Sequence, residues 1–117
     1  MDNLISPHGS HLVELMADSE RLTELREASR DWPSVDLGPR QLSDLELLLN
    51  GALSPLVGYM GADEHRRVCA EMRLADGTLW PLPLTLDIPD QLADALAPGA
   101  DLAIRDREGV MLARLAV

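Results

Sequence analysis

The residues of this chain that could do chemistry are few, and two short pairs of metal-ligand types come first. His8 and His11 have H-x-x-H spacing, and His65 and Cys69 are four residues apart, on one side of a helix. A zinc site needs three or four protein ligands, and neither pair has enough partners nearby. We interpret His8 and His11 as a chance spacing. We predict that His65 and Cys69 lie on the inward face of an amphipathic helix, and we predict no metal site.

The residues needed for other kinds of active site, such as a carboxylate acid–base pair or a reactive lysine, are also missing. Asp44 and Glu46 are two residues apart on a predicted helix, so their carboxylates point in different directions and form no acid–base pair. All ten basic residues are arginines, which excludes a Schiff-base lysine and a P-loop lysine. We therefore predict no catalytic residue and no cofactor-binding residue in this chain.

The amino-acid composition limits which binding partners and which cellular compartment we expect for this chain. The formal net charge is −10 over 117 residues, and no basic stripe is visible, so we expect no nucleic-acid partner. The first residues show no basic stretch followed by an apolar one, and no apolar run is long enough to span a bilayer, so we expect neither a secretory signal nor a membrane partner. Cys69 is the single cysteine, which fits a reducing compartment, and we expect a cytoplasmic protein.

Helices dominate the first two thirds of the predicted structure. The first covers 18–29, with Asp18 or Ser19 as cap and Leu22, Leu25 and Ala28 on one face. Trp32-Pro33 ends it, and a short strand follows around Val35 and Leu37.

The second helix covers Arg40–Asn50, or begins at Ser43, which has capping-box spacing with Glu46. Gly51 suits a left-handed cap at its end. Asp63 is predicted to cap a third helix that reaches about Arg73.

Strands are predicted mainly near the end of the chain. We predict a strand over 84–88, a short helix over 90–97, and two strands over 100–105 and 110–117. Asp106–Gly109 joins the last two strands as a hairpin loop. The prediction is an α+β fold without the regular alternation of a doubly wound sheet.

Four ordered blocks resemble the N-terminal part of ATP sulfurylases (sulfate adenylyltransferases). They are Leu4–Gly9, Arg40–Leu56, Met72–Pro81 and Leu84–Asp87. The blocks follow the order and approximate spacing of that family, and the hairpin at Ala103–Asp106 and Gly109 is also similar. Within the second block the family often has other residues at Ser43, Ala52 and Leu53, and at Tyr59 just after it.

The resemblance implies that residues 1–117 form one PUA-like domain, a pseudo-barrel of mixed strands with flanking helices. In the family this domain precedes the catalytic domain, so we expect a catalytic domain to follow Val117. The family's Q-x-R-N and G-R-D-H motifs belong to that domain and are absent here. Mg-ATP is accordingly expected in the catalytic domain. Some members also carry an adenylyl-sulfate kinase domain.

We therefore expect an accessory domain that catalyses nothing by itself and contacts the catalytic domain of its parent chain or a neighbouring subunit. The alternatives are a free-standing PUA-like binding module and a small independent enzyme. The candidate docking residues lie between Arg40 and Tyr59, where many apolar side chains occupy a loop; they are Arg40, Gln41, Leu53, Leu56, Val57 and Tyr59. A docking role predicts a solvent-exposed apolar patch from Leu53 to Met60, and the alternative is that these side chains fill the core of this domain. For Arg40 and Gln41, bonding to backbone or to a neighbouring domain is favoured over substrate contact.

Overall fold

A computed structural model describes residues 4–117, and it has the predicted α+β character. Its elements, in chain order, are α1 (Ser19–Ala28), a 3₁₀ turn (Ser29–Asp31), β1 (Ser34–Asp36), α2 (Pro39–Leu49), α3 (Ala62–Glu71), α4 (Asp90–Ala95), β2 (Asp101–Arg105) and β3 (Met111–Ala116). None of the helices in this part of the chain combines the length and hydrophobicity that crossing a bilayer requires.

Helix α1 forms where its sequence predicts, because Asp18 caps it. The Asp18 carboxylate accepts a hydrogen bond from the Arg21 N–H at 2.8 Å, which satisfies one free donor of the first turn. No residue of α1 is buried, however, and Leu22 is 39% exposed. Leu25 is half-buried, so the predicted apolar face of α1 is only partly covered.

Helix α2 begins before Ser43, so the later start considered from the sequence is wrong. Gly38 precedes the helix, Pro39 occupies its first position, and the Gly38 N–H donates to Gln41 Oε1 at 3.0 Å. Proline suits the first helical position, and a glutamine three residues after the cap bonds back to it. Gly51, at φ +90, supplies the left-handed turn just beyond the helix, as predicted.

Helix α3 differs from its prediction in its cap and in its buried face. Gly61, not Asp63, is the N-cap, and it makes no side-chain hydrogen bond. Met72 ends the helix in the left-handed conformation at φ +54. Val68 is the one buried residue of α3, whereas Cys69 is exposed and His65 is half-buried. The prediction that Cys69 faces inward is therefore wrong, because Val68 faces the core and the next residue along an α-helix points about 100° away.

The three strands form one mixed sheet in the order β1-β2-β3. β1 and β2 are parallel with Val35 opposite Ile104, and β2 and β3 are antiparallel with Leu102 opposite Leu115. The predicted hairpin is confirmed, with Gly109 at φ +86 in its loop.

The prediction of a strand over 84–88 is wrong, because these residues belong to no strand. Leu84 makes one ladder-like contact, accepting from the Met60 N–H at 2.9 Å. Pro83 and Pro89, which flank the segment, have no N–H to donate, so a strand ladder could not continue past it at either end. Helix α4 starts at Asp90 as expected but ends at Ala95 rather than at 97, and Pro89 is its N-cap.

The chain divides into two compact units. The first, which we call the loop unit, comprises the described residues up to Leu15 together with Leu47–Asp87; the second, the sheet unit, comprises Met16–Glu46 and Ile88–Val117. The loop unit buries an apolar cluster of Leu48, Leu56, Met60, Val68, Leu74, Trp80 and Leu84. The sheet unit buries Val35, Leu37, Leu45, Leu102, Ala103 and Ile104.

Candidate docking surface

Arg40 and Gln41, two of the predicted docking residues, have different environments within the sheet unit. Arg40 is exposed, and its guanidinium makes no hydrogen bond or ion pair to any residue between 4 and 117. Gln41 is half-buried and uses its side-chain oxygen to cap α2. Gln41 is thus accounted for by bonding to the backbone, whereas Arg40 is available for an outside partner.

The remaining predicted docking residues lie in the loop unit and are mostly part of its core. Leu56 is 5% exposed, and Leu53 and Tyr59 pack against the same cluster. Val57 alone among them is strongly exposed, at 75%. The expectation of an exposed apolar patch from Leu53 to Met60 is therefore wrong for Leu56 and Met60, because a core built from loops needs those side chains. A docking role for Val57 stays a prediction.

Val57 lies at the edge of a cleft of about 270 Å³ within the loop unit. We call it the 55–76 cleft. One wall is the loop that follows the buried Ser54, and the other is formed by the start of α3 and the turn after it. The lining residues are Pro55, Leu56, Val57, Gly58, Tyr59, Glu64, Leu74, Ala75 and Asp76.

Two acidic side chains stand on the α3 side of this cleft. Glu64 Oε2 accepts from the Ala75 N–H at 3.3 Å, and Asp76 Oδ1 accepts from the Thr78 N–H at 2.9 Å. The hydrogen bonds from the Thr78 backbone and side chain lower the pKa of Asp76, because they stabilise its ionised form. The cleft therefore has apolar residues on both walls and two hydrogen-bonded acidic side chains on the α3 side.

No basic residue lines the 55–76 cleft. The nearest arginine contact is made by Arg67, whose guanidinium binds the Ala75 carbonyl at 2.7 Å and Glu71 at 3.3 Å. These bonds engage Arg67 on its own helix and on the turn. The positive charge of Arg67 also contributes to lowering the pKa of Asp76.

Two of the three histidines contact other side chains or backbone of the loop unit. His8 Nε2 lies 2.6 Å from the Leu79 carbonyl oxygen, and its ring centroid is 5.9 Å from that of Trp80. His65 Nε2 lies 3.7 Å from Cys69 Sγ on α3. Within residues 4–117, no three histidine, cysteine or acidic side chains are grouped as metal ligands. Sequence reasoning missed the role of His8, since its partners lie 71 and 72 positions away.

Comparison with protein families gives the wider context for this arrangement. The model of the PUA-like domain family matches residues 5–117, which is nearly the whole chain. The chain belongs to the PUA-like domain family. The fold class and the family resemblance seen in the sequence are thereby confirmed.

The chain is also similar to curated sulfate-activating enzymes. It is 41% identical over 117 residues to the sulfate adenylyltransferase of Symbiobacterium thermophilum, covering all of this chain and 30% of that protein. It is 38% identical over 110 residues to a probable bifunctional SAT/APS kinase of Sorangium cellulosum, covering 94% of this chain and 19% of that protein. The chain thus spans less than a third of these relatives and matches the N-terminal region of sulfate adenylyltransferases.

A solved structure shares the fold as well as the sequence. It is the hexameric APS kinase from Thiobacillus denitrificans, with a TM-score of 0.88 and 43% identity. The match covers 97% of this chain and 23% of that one. The fold of this chain therefore occurs within larger proteins named sulfate adenylyltransferase, bifunctional SAT/APS kinase and APS kinase.

Proposed function

We propose that this chain is the N-terminal accessory domain of a sulfate adenylyltransferase, which forms adenylyl sulfate and pyrophosphate from ATP and sulfate. One observation carries the proposal: the 41% identity to the Symbiobacterium thermophilum enzyme extends over the full 117 residues. The match to a bifunctional SAT/APS kinase and to an APS kinase structure supports a parent that also carries a kinase domain.

We further propose that the chain has no catalytic activity of its own and contributes by contacting the rest of its parent. A reaction between sulfate and the α-phosphorus of ATP proceeds through positioning and through stabilisation of negative charge. The described residues offer the opposite: the 55–76 cleft is lined by two acidic side chains and no cation. Mg-ATP would accordingly bind elsewhere in the parent protein.

The proposal is tested by a chimera based on the Symbiobacterium thermophilum sulfate adenylyltransferase. This chain replaces the matching 117 residues of that enzyme, and pyrophosphate release from ATP is measured with sulfate or molybdate. We expect the chimera to be active and to unfold at a higher temperature than the same enzyme without its matching segment. We expect the isolated chain to show no turnover.

Two results would contradict the proposal. A chimera that folds but is no more stable or active than the truncated enzyme would show that this chain cannot serve as the accessory domain. Turnover by the isolated chain that is abolished by His8→Ala or His11→Ala would make it an enzyme. Micromolar RNA binding at physiological salt would favour the free-standing binding module instead.

A further inference from the structure

A short N-terminal segment is attached to the rest of the loop unit by hydrogen bonds. We call residues 4–13 the strap, and none of them belongs to a helix or a strand. The ring nitrogen Nε2 of His8 lies 2.6 Å from the Leu79 carbonyl oxygen, and the Val13 N–H donates to the buried Ser54 hydroxyl at 2.8 Å. These partners are 71 and 41 positions apart along the chain. The bonds therefore fix the strap against the folded unit rather than against itself.

The apolar side chains of the strap are left outside the core. Ile5 is 93% exposed, Leu4 is 75% exposed and Leu12 is 63% exposed. The strap contains no aspartate, glutamate or arginine, although 26% of the whole chain is charged. Polar groups thus hold this segment in place, while its apolar side chains remain in water and contribute nothing by burial. An exposed apolar patch of this kind marks a surface for interaction.

The same apolar surface extends onto neighbouring loops of the loop unit. Pro55 lies against the strap, because a Cβ at Gly9 would be 2.8 Å from Pro55 Cγ. Val57, two positions further on, is strongly exposed, and Leu79, whose carbonyl oxygen lies beside His8, is also exposed. Of the thirteen large apolar side chains that are exposed in the described part of the chain, nine lie in the loop unit and four in the sheet unit. Exposed apolar surface is thus concentrated on the loop unit.

We propose that the strap, together with Val57 and Leu79, is the surface against which an apolar face of the remainder of the parent polypeptide packs. The match to the Symbiobacterium thermophilum enzyme covers all of this chain but 30% of that protein, and the match to the solved APS kinase covers 23% of that chain. The greater part of such a parent is therefore joined covalently to this domain. This inference rests on the proposed function, because it takes the partner from that parent.

Charge and covalent attachment favour this partner over the alternatives. A strap without arginine offers no cation to a nucleic acid or to another phosphate ligand. Two copies of this chain would bring together two net charges of −10, which opposes their association. A domain of the same polypeptide is instead always present at a high effective concentration, so it can keep an apolar surface covered. Interfaces that are permanently covered are also the more apolar ones.

Hydroxyl-radical footprinting tests this proposal directly, because it measures how far individual side chains are exposed to solvent. The isolated chain and the chimera described above are oxidised in parallel and analysed by mass spectrometry. We expect oxidation of Ile5 and Val57 to fall about fivefold or more in the chimera, because side chains at the centre of an interface are buried. Leu22 and Val110, which are exposed apolar residues of the sheet unit, serve as internal controls and should be oxidised equally in both proteins.

Two double variants connect the loss of exposure to stability. Ile5→Gln with Val57→Gln should leave the unfolding temperature of the isolated chain unchanged, because both side chains are exposed there. In the chimera the same pair should lower the unfolding temperature by several degrees, since it removes apolar surface that the interface buries. The matched control, Leu22→Gln with Val110→Gln, should leave the unfolding temperature of both proteins unchanged.

The outcomes separate this inference from the proposed function. An active, stabilised chimera in which Ile5 and Val57 are oxidised as in the isolated chain would overturn the docking surface and leave the accessory function intact. Equal effects of the two double variants on the chimera would also overturn it. Protection of Ile5 that appears in the isolated chain as its concentration rises would assign the surface to a second copy instead. A chimera that is inactive, no more stable than the truncated enzyme and unprotected would remove both proposals together.

Discussion

The loop unit and the sheet unit bury apolar residues by different means. The sheet unit places Leu102, Ala103 and Ile104 in succession on β2, the central strand, where all three are buried. The loop unit contains α3 and the last turn of α2, and most of its cluster comes from irregular segments around Leu56, Met60 and Leu84. Irregular backbone must satisfy its polar groups individually, which makes the loop unit depend on single contacts.

Those single contacts are concentrated where the N-terminal segment meets the rest of the loop unit. The Val13 N–H donates to Ser54 Oγ at 2.8 Å, and the buried Ser54 hydroxyl also donates to the Gly51 carbonyl at 2.7 Å. The Leu15 N–H donates to the Leu49 carbonyl at 2.9 Å. The 55–76 cleft lies in the loop unit, where irregular segments are not joined to one another by a regular ladder of backbone hydrogen bonds. The following predictions test the contrast between the units.

The largest difference is expected between the two tryptophans. Trp80 is buried in the loop unit and donates its indole N–H to the Leu82 carbonyl at 2.6 Å, so Trp80→Ala should cost ~3–5 kcal/mol of unfolding free energy. Trp32 is half-buried in the sheet unit, so Trp32→Ala should lower the unfolding free energy by only about 1–2 kcal/mol. Urea unfolding followed by far-ultraviolet circular dichroism measures both. Equal losses would contradict the view that the loop unit depends on individual side chains.

A smaller difference is expected between two left-handed glycines. Gly51→Ala in the loop unit places a Cβ 2.9 Å from Leu12 Cδ1 and 3.1 Å from the Val13 carbonyl oxygen. The variant is therefore destabilised both by the positive φ of its backbone and by a steric clash. In Gly109→Ala in the sheet unit, the added Cβ has no atom within 4 Å, so only the positive φ of the backbone is unfavourable. We expect about 2–3 kcal/mol for Gly51→Ala and about 1 kcal/mol for Gly109→Ala in the same unfolding assay. A Gly109→Ala loss as large as that of Gly51→Ala would show that close packing against the N-terminal segment is unimportant.

Substitutions at the first turns of α2 and α3 should change the stability of the protein in opposite directions. Gln41→Ala removes the bond to the Gly38 N–H and should destabilise the protein by about 0.5–1 kcal/mol. Gly61→Ser should stabilise it by a few tenths of a kcal/mol, because Gly61 caps α3 without a side-chain bond. Thermal unfolding of each variant against the parent chain gives the sign. Stabilisation by Gln41→Ala would rule out the capping role.

The smallest effect concerns the acidic rim of the cleft. Because the pKa of Asp76 is lowered in the folded chain, its contribution to stability is present above the unfolded pKa of about 3.9 and is lost as pH falls through the folded pKa. Asp76→Asn keeps an acceptor for Thr78 but cannot titrate. The unfolding free energy of the Asp76→Asn variant should therefore fall less than that of the parent chain below pH ~4. Urea midpoints measured from pH 7 to pH 2 test this, and identical pH profiles would contradict it.

Several elements could be predicted from short stretches of sequence alone. Asp18 identifies the start of α1, Gly51 the end of α2, and the loop from Asp106 to Gly109 the β2–β3 hairpin. Each of these depends on residues within one turn or one loop, so local chemistry is sufficient. The family resemblance likewise follows from blocks of adjacent residues, and the family match over 5–117 confirms it.

The sequence by itself thus determined the α+β class, most helix positions, the hairpin and the family. Only the tertiary structure decided that β1 pairs with β2 in parallel, that residues 84–88 form no strand, and that Leu56 is buried while Val57 is exposed. It also decided that Glu64 and Asp76 line the same cleft as Val57. The physical reason is that burial and strand pairing depend on partners distant along the chain. A local pattern shows that a side chain is apolar or acidic, but not what it will meet.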